Sequence, residues 1–300
     1  MNTARALLER HGLSPRKSLG QNFLIDDQTA QKIVRAAEIE PTDTVIEIGP
    51  GMGALTQHLV KQAQQVHVIE LDQHLIPILR DELRQFTNLT ITHGDALEVD
   101  FAQLVPPLST VRFVANLPYY ITSAIVRKML ESALTVAGIV LTIQYEVAQR
   151  MVAGVGDMSL LAASVQFYGR PTLLMKLPGA AFYPQPKVDS AVVRIIPHPI
   201  SERADIDPDM FFQVVKAGFS QPRKQLRNTL ASGLSIDKTL AIEMLTTCAI
   251  DPMRRAETLA MPEWVGLARY WVLNRSDRRV RNSDKNAAED APSTENSSVP

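Results

Sequence analysis

The sequence lacks the features that mark secreted, membrane-spanning or metal-binding proteins. Its 300 residues contain one cysteine, Cys248, so an intrachain disulfide is impossible and a reducing compartment is indicated. The longest central apolar run, residues 136–143, is far shorter than the roughly 20 residues that a membrane span needs. The six histidines show no ligand-like spacing. We therefore expect a cytoplasmic protein with no metal and no membrane contact, and a monomer by default.

Strong charge of either sign is also absent. The net charge of −1 does not by itself indicate a nucleic-acid binder, so any electropositive surface must be local. Two segments are locally basic: the stretch up to residue 24, and residues 210–236, which contain no acidic side chain. They supply the candidate phosphate contacts Arg16, Lys17, Arg223, Lys224 and Arg227.

What is present is a long alternation of apolar strand-like runs and helical patterns. Such alternation is typical of an α/β fold with a mostly parallel sheet and helices on both faces. The predicted strands are residues 44–49, 65–72, 89–97, 111–118 and 137–144. The predicted helices between and before them are residues 29–39, 53–62, 74–85 and 123–133.

The pattern changes beyond residue 160. Residues 161–169, 172–177 and 190–197 resemble strands without long helices between them, and residues 207 to about 273 are helical in pattern. The last 26 residues are polar and low in aromatics, which is typical of disorder. We therefore predict an α/β domain over residues 1–196, a small all-α C-terminal domain over 197–274, and a disordered tail over 275–300.

A glycine-rich segment, EIGPGMGAL, follows the first predicted strand and opens a helix. Gly49, Gly51 and Ala54 match the dinucleotide-binding pattern G-x-G-x-x-[GA], and Glu70 ends the next predicted strand. Glycines let the backbone approach a ligand, and a carboxylate in this place can accept two ribose hydroxyls. This pattern fits either a nicotinamide cofactor or S-adenosylmethionine.

Two details favour S-adenosylmethionine. Glu47 lies two residues before Gly49, where a carboxylate suits the amino end of that cofactor and no pyrophosphate is required. Asp95 ends the third predicted strand and can accept a hydrogen bond from the exocyclic amine of adenine. Ligands of doubly wound sheets bind at the carboxyl ends of strands, where Glu70 and Asp95 lie. A nicotinamide oxidoreductase stays the alternative, but it leaves the segment NLPYYITS (116–123) unexplained.

That segment ends the fourth predicted strand. An aromatic amine is a poor nucleophile because its lone pair is delocalised into the ring. Acceptors that pull on both N–H bonds localise the pair, and the side-chain oxygen of Asn116 and the carbonyl of Leu117 can do this. Pro118 fixes the turn, and Tyr119 offers a face on which a base extruded from a nucleic acid can stack.

The motifs together resemble the ribosomal RNA adenine dimethyltransferase family. The resemblance runs from about Arg16 to Leu267 and covers several separate motifs, so it is highly specific. Within the family the chain is most similar to the members that methylate two adjacent adenines near the 3′ end of the bacterial small-subunit (16S) rRNA. The motifs, in order, are SLGQNFL, VIEIGPGMGALT, VIELD, GDAL, NLPYYITS, QYEVAQRM and FYPQPKVDSAVVR.

The resemblance implies a class I S-adenosylmethionine methyltransferase that acts on small-subunit rRNA within a pre-ribosomal 30S particle. It implies that Phe182 closes over the target base opposite Tyr119, and a core aromatic residue is the alternative for this position. It also implies that ribosome assembly is a role alongside catalysis. The cofactor contacts that it implies are Asn22, Leu24, Gly49, Glu70, Asp95 and Asn116.

The sequence departs from the family pattern in two places. The usual Lys-Pro-Gly turn and Tyr-Gly are absent from residues 152–162, and Pro222 stands where a basic residue is common. Both differences bear on RNA contacts and not on methyl transfer. The rival within the family is the large-subunit rRNA methyltransferase that confers macrolide resistance, and the helical C-terminal region argues for the small-subunit enzyme. A third alternative is a non-catalytic assembly factor, against which Asn116 and Glu70 argue.

Overall fold

The computed structural model describes residues 4–118, 121–199, 201 and 206–274, with residues 4 and 5 described by backbone alone. The chain divides into two compact units between residues 199 and 200. The predicted disordered tail, residues 275–300, lies outside the described residues.

The first unit is built on a seven-stranded sheet in the order β4-β3-β2-β5-β6-β9-β7. The neighbours from β4 to β6 pair in parallel, whereas β9 pairs antiparallel with both β6 and β7. The short strands β1 and β8 form a separate antiparallel pair. The predicted mostly parallel sheet is thereby confirmed. The strands are β1 (Phe23–Leu24), β2 (Thr44–Ile48), β3 (Gln65–Glu70), β4 (Leu89–His93), β5 (Thr110–Asn116), β6 (Thr135–Gln144), β7 (Gly169–Leu177), β8 (Phe182–Tyr183) and β9 (Ser190–Pro197).

The helices of the first unit are shorter than their sequence patterns suggest. The helix predicted from residue 29 begins at Asp27, because the side chain of Asp26 accepts a hydrogen bond from the Thr29 amide and caps it. The helices are α1 (Ala4–Arg10), α2 (Asp27–Ala36), α3 (Thr56–Leu59), α4 (Ile76–Glu82), α5 (Thr122–Glu131), α6 (Tyr145–Met151) and α7 (Leu160–Tyr168).

The core occupies both faces of this sheet. Val45 and Val114 share one apolar cluster with Ile33 of α2 and Leu59 of α3. Phe113 is the chain neighbour of Val114 and so projects from the opposite face, where its ring lies 5.1 Å from that of Phe101. Because both faces are covered, the central strands are nearly continuous apolar runs, which is why the sequence revealed them.

The prediction of a strand at residues 161–169 is wrong, since residues 161–168 belong to α7 and only Gly169 belongs to a strand, as the first residue of β7. Ser159 caps the helix by accepting a hydrogen bond from the Ala162 amide at 3.2 Å. The helix buries Ala163, Val165 and Phe167 and lacks a broad polar face. A helix buried nearly all round has no amphipathic period, so its sequence cannot be told from a buried strand.

The second unit is helical, as predicted. Its helices are α8 (Pro208–Phe219), α9 (Leu226–Leu234), α10 (Lys238–Thr247) and α11 (residues 261–274). Trp264 is fully buried and its ring lies 5.3 Å from that of Phe219. A Cβ at Gly218 would lie 2.4 Å from the Trp264 ring, so α8 approaches this ring as closely as glycine allows.

Within the described ranges, no helix has the length and apolar character needed to cross a membrane. The same ranges contain no group of three or more His, Cys, Asp or Glu side chains suited to hold a metal ion.

Candidate active site

A cleft opens at the carboxyl ends of the parallel strands. The ends of β2, β3 and β5 and the loop after β4 contribute to it, as expected for a parallel sheet whose strands all end at one edge. Residues 19–24 form a further wall. The predicted site residues in its lining are Asn22, Leu24, Glu47, Gly49, Gly51, Glu70, Asp95, Asn116, Leu117 and Pro118.

The glycine loop after β2 has a backbone conformation that residues with a side chain rarely adopt. Gly49 and Gly51 both have positive φ, at 67° and 57°. A Cβ at Gly51 would lie 2.9 Å from the Phe23 ring, and one at Gly49 would lie 3.7 Å from the Asn116 carbonyl oxygen. The glycines therefore allow the loop, the residue 19–24 wall and β5 to approach one another around the cleft.

Glu70 stands at the end of β3 and is buried. Its Oε2 accepts a hydrogen bond from the Gly51 amide at 3.1 Å, and its Oε1 accepts one from the Asp72 amide at 2.8 Å. Burial raises the pKa of Glu70, against the effect of these amides. The carboxylate is thus fixed at the floor of the cleft, with oxygen atoms suited to accept ligand hydroxyls.

Glu47 is the more deeply buried carboxyl group, with 1% of the residue exposed. Thr56 Oγ1 donates to its Oε2 at 2.7 Å, which joins the end of β2 to the start of α3. Burial raises the pKa of Glu47 to about 8. A cationic amino group in the cleft would favour its ionised form, so this environment suits the methionine end of the predicted cofactor.

Asp95 lies at the exposed mouth of the cleft. Its Oδ1 accepts a hydrogen bond from the Leu97 amide at 2.8 Å, which holds the carboxylate in a tight turn after β4. The arrangement leaves further acceptor capacity for a ligand amine.

Asn116 ends β5, and its side chain is oriented by a distant part of the chain. Its Nδ2 donates to the main-chain oxygen of Asn22 at 3.0 Å. If the amide were flipped, its Oδ1 would face the Asn22 carbonyl oxygen and two acceptors would meet. The contact therefore places Oδ1 on the opposite side of the amide, where it can accept a hydrogen bond from a ligand. Leu117 is held by its amide, which donates to the Thr142 carbonyl at 3.1 Å. Tyr119 and Tyr120 lie outside the described residues, so the predicted stacking role of Tyr119 stays a prediction.

Phe182 lies in the apolar core, which agrees with the alternative of a core aromatic residue. It pairs with Leu24 across the β1–β8 ladder, is 3% exposed, and belongs to the apolar cluster beneath the residue 19–24 wall. The ring must emerge from this cluster to meet a base, so its role as the second stacking surface stays a prediction.

The side chains predicted to contact RNA differ in their exposure and in their polar partners. Lys17, Arg223 and Lys224 are exposed. Arg227 is half-buried, and its Nε donates to Gln225 Oε1 at 3.0 Å. Arg16 is exposed, but its guanidinium lies 3.2 Å from Asp72.

Sequence reasoning missed one polar residue beside the cleft, Asp72. It is buried next to Glu70 and accepts a hydrogen bond at 2.9 Å from the side chain of Gln21, which lines the cleft as the first residue of the segment QNFL, where a lid with polar contacts was expected. The available signal was the acidic pair in VIELD at the end of a strand, because a buried strand has no need of two carboxylates. Of the two carboxylates, only Glu70 has a role in the prediction from sequence.

A sheet of this order with a glycine loop after the first parallel strand and carboxylates at successive strand ends defines a class I methyltransferase-like nucleotide site. The comparisons with known proteins give the family. The family model described as ribosomal RNA adenine dimethylase matches residues 12–270, and the chain belongs to this family.

Individual relatives agree with the family model. Ribosomal RNA small subunit methyltransferase A of Dehalococcoides mccartyi (strain CBDB1) is 46% identical over 274 residues, which cover 91% of this chain and 94% of that protein. The crystal structure of a dimethyladenosine transferase from Plasmodium falciparum has a TM-score of 0.71 and 26% identity, over 82% of this chain and 95% of that one. The crystal structure of the 23S rRNA methyltransferase ErmE has a TM-score of 0.66 and 28% identity, over 83% and 99%.

Proposed function

We propose that this protein uses S-adenosylmethionine to dimethylate the N6 atoms of two adjacent adenines near the 3′ end of small-subunit (16S) rRNA. The observation that carries the proposal is the oriented amide of Asn116 at the end of β5, facing a cleft lined by Glu47, Glu70 and Asp95. The choice of the small subunit is supported by the relative of 46% identity, whose name states that subunit.

The cleft residues fit the cofactor in chemical type. Glu70 would hold the ribose hydroxyls and Asp95 the adenine amine, while Asn22, Leu24 and the buried Glu47 would border the methionine end. A Cβ at Gly51 would lie 2.9 Å from the Phe23 ring, so glycine at this position lets the residue 19–24 wall stand close beside the loop at the edge of the cleft. When bound, S-adenosylmethionine supplies an electrophilic methyl group on its sulfonium.

Asn116 Oδ1 and the Leu117 carbonyl would accept hydrogen bonds from the two N–H bonds of the adenine amine. This draws the nitrogen lone pair out of the ring and towards the methyl carbon. With the cofactor bound, the amine held by Asn116 and Leu117 would receive the methyl group, and the electrons of the former C–S bond would stay with sulfur. The methylated amine then loses a proton easily, because the ammonium is very acidic, so no strong general base is required in the cleft.

The target base must leave its stack to reach Asn116. Tyr119 would stack against one face of the base and Phe182, once released from the apolar cluster, against the other. Lys17, Arg223, Lys224 and Arg227 would contact phosphates, which makes binding sensitive to salt. The substrate is then rRNA within a pre-ribosomal 30S particle in the cytoplasm. The chain acts on this particle as a monomer.

The test is incubation with labelled S-adenosylmethionine and under-methylated small subunits, followed by nucleoside analysis. Labelled dimethyladenosine is expected. Its absence, with the protein folded and the particles intact, would refute the proposed reaction.

A second candidate is a large-subunit rRNA methyltransferase, which the structural similarity to ErmE favours. Primer extension on both rRNAs after the same incubation separates the two. Stops at adjacent adenines near the 3′ end of the small-subunit rRNA support the main proposal, and stops in the large-subunit rRNA support the alternative.

A further inference from the structure

Residues 16–24, which we call the cover segment, form one wall of the cleft. Residues 19–24 line it, and Phe23 and Leu24 of this segment are buried. The Phe23 ring lies close against Gly51 of the glycine loop. The cover segment therefore closes one side of the cleft, whose exposed mouth lies at Asp95.

Asp72 holds the cover segment from beneath. Its Oδ2 accepts a hydrogen bond from Gln21 Nε2 at 2.9 Å, and its Oδ1 accepts from Arg16 Nη1 at 3.2 Å. The Gln21 side chain is fixed at both ends, because its Oε1 also accepts from the Arg16 amide at 2.8 Å. The Asp72 side chain is 3% exposed and that of Arg16 is 50% exposed.

The Asp72 carboxylate is charged near neutral pH. Burial acts to raise its pKa, but hydrogen bonds from Gln21 and the His74 amide, together with the Arg16 guanidinium, hold the pKa below its ordinary value. A buried charge with these partners favours the arrangement that keeps them in contact.

Asp72 also belongs to the cofactor side of the cleft. Its amide donates to Glu70 Oε1 at 2.8 Å, so one residue positions both Glu70 and the cover segment. The other end of the segment is tied to the acceptor side, where Asn116 Nδ2 donates to the Asn22 carbonyl.

We propose that Asp72 is a positioning residue that holds the cover segment closed through Arg16 and Gln21, and that the Arg16–Asp72 pair sets how fast the cofactor leaves. This rests on the proposed function, in that the ligand of the cleft is S-adenosylmethionine. It also changes the expected role of Arg16 from a phosphate contact to a tie on the cover segment.

In this proposal the cofactor leaves when the cover segment opens, so its dissociation rate is the quantity that responds most to the Arg16–Asp72 pair. Loss of one charge-assisted contact makes opening about five- to tenfold more frequent, and release accelerates by the same factor. Equilibrium affinity changes less if the segment is mostly closed without ligand. Since Arg16 is half-exposed, added salt weakens the pair and accelerates release in the same direction.

The experiment compares Arg16→Ala with Arg10→Ala. Arg10 is a matched control, because it is 49% exposed and pairs with Glu82 at 3.3 Å, away from the cleft. Release of tritiated S-adenosylmethionine into excess unlabelled cofactor is timed at low and high salt, without RNA. Amide hydrogen exchange of residues 18–24 is measured in the same variants. Asp72→Asn provides a second disruption of the pair, checked by circular dichroism for folding.

Arg16→Ala is expected to accelerate release and segment exchange about five- to tenfold and to abolish the salt dependence of release, while Arg10→Ala behaves as wild type. Unchanged release and exchange in Arg16→Ala would overturn the proposal, as would equal acceleration in Arg10→Ala. If wild type itself binds no S-adenosylmethionine, the proposed function fails instead, and segment exchange still decides whether Asp72 holds the segment.

Discussion

The two sides of the cleft are assembled by different means. On the cofactor side, Glu47, the glycine loop and Glu70 lie within one strand–loop–helix–strand unit, so their order in the chain already brings them together. On the acceptor side, Asn116 is oriented by Asn22, 94 positions away, and Phe182 approaches through a strand pair with Leu24. The cofactor side is therefore readable from local motifs, and the acceptor side depends on long-range contacts.

The largest effect is expected on the acceptor side. Asn116→Ala removes the oriented amide acceptor and should lower kcat by about 10²- to 10³-fold while S-adenosylmethionine binding survives in weakened form. Methyl transfer to under-methylated small subunits and calorimetric cofactor binding measure the two quantities. Thr142→Val is the control, because the Thr142 hydroxyl is buried beside Asn116 without a hydrogen-bond partner among the described residues. Full activity of Asn116→Ala would remove Asn116 from the mechanism.

On the cofactor side, Glu47 should make the free energy of unfolding depend on pH. The folded protein keeps the Glu47 proton up to a pKa of about 8, whereas the unfolded chain loses it near 4.5. Unfolding between these values releases a proton, so rising pH from 5 to 8 lowers the free energy of unfolding. Glu47→Gln has no such proton to lose. Between pH 5 and pH 8.5 its free energy of unfolding should therefore fall less than that of wild type, by on the order of a few kcal/mol.

Urea unfolding of wild type and Glu47→Gln at both pH values measures this difference. The raised pKa of the buried Glu70 adds a decline of the same sign in both proteins, so only the difference between them reports on Glu47. Parallel declines in the two proteins would show that Glu47 is not held protonated in the fold.

Gly51 lies where the two sides meet. Gly51→Ala puts a Cβ at positive φ and 2.9 Å from the Phe23 ring, which should cost about 2 kcal/mol of stability. Gly12 has φ of 63° with nothing within 4 Å, so Gly12→Ala reports the backbone strain alone, about 1 kcal/mol. Urea unfolding compares them. Equal losses would mean that Phe23 moves freely and that the cover segment is not packed on the loop.

The smallest effect is expected on RNA binding, from a residue that belongs to neither side of the cleft. Lys224→Ala removes one exposed charge between α8 and α9 and should weaken RNA binding modestly, reducing the slope of log affinity against log salt by about 1. Lys238→Ala, an exposed lysine in α10, is the control with an unchanged slope. Binding of both variants to the 3′ region of small-subunit rRNA over a salt series decides whether the basic segment contacts phosphates.

The parts that sequence reasoning missed or left open share a physical cause. Residues 161–168 lie in a helix that is buried on most sides, so its sequence has no amphipathic period that distinguishes it from a buried strand. The exposed-looking Arg16 is paired with an aspartate 56 positions away, and Phe182 is packed inside a cluster that its neighbours in sequence do not reveal. Each depends on residues that are close only after folding.

The amino-acid sequence by itself determined the alternation of strands and helices, the glycine loop and the carboxylates at the strand ends. The alternation follows from apolar periodicity, the loop from backbone conformations that glycine adopts most readily, and the carboxylates from polar residues where apolar strands end. The tertiary structure alone decided which way the Asn116 amide faces, that Phe182 is buried, and that Arg16 and Gln21 converge on Asp72. These depend on hydrogen bonds and packing between distant segments, whose geometry no local pattern contains.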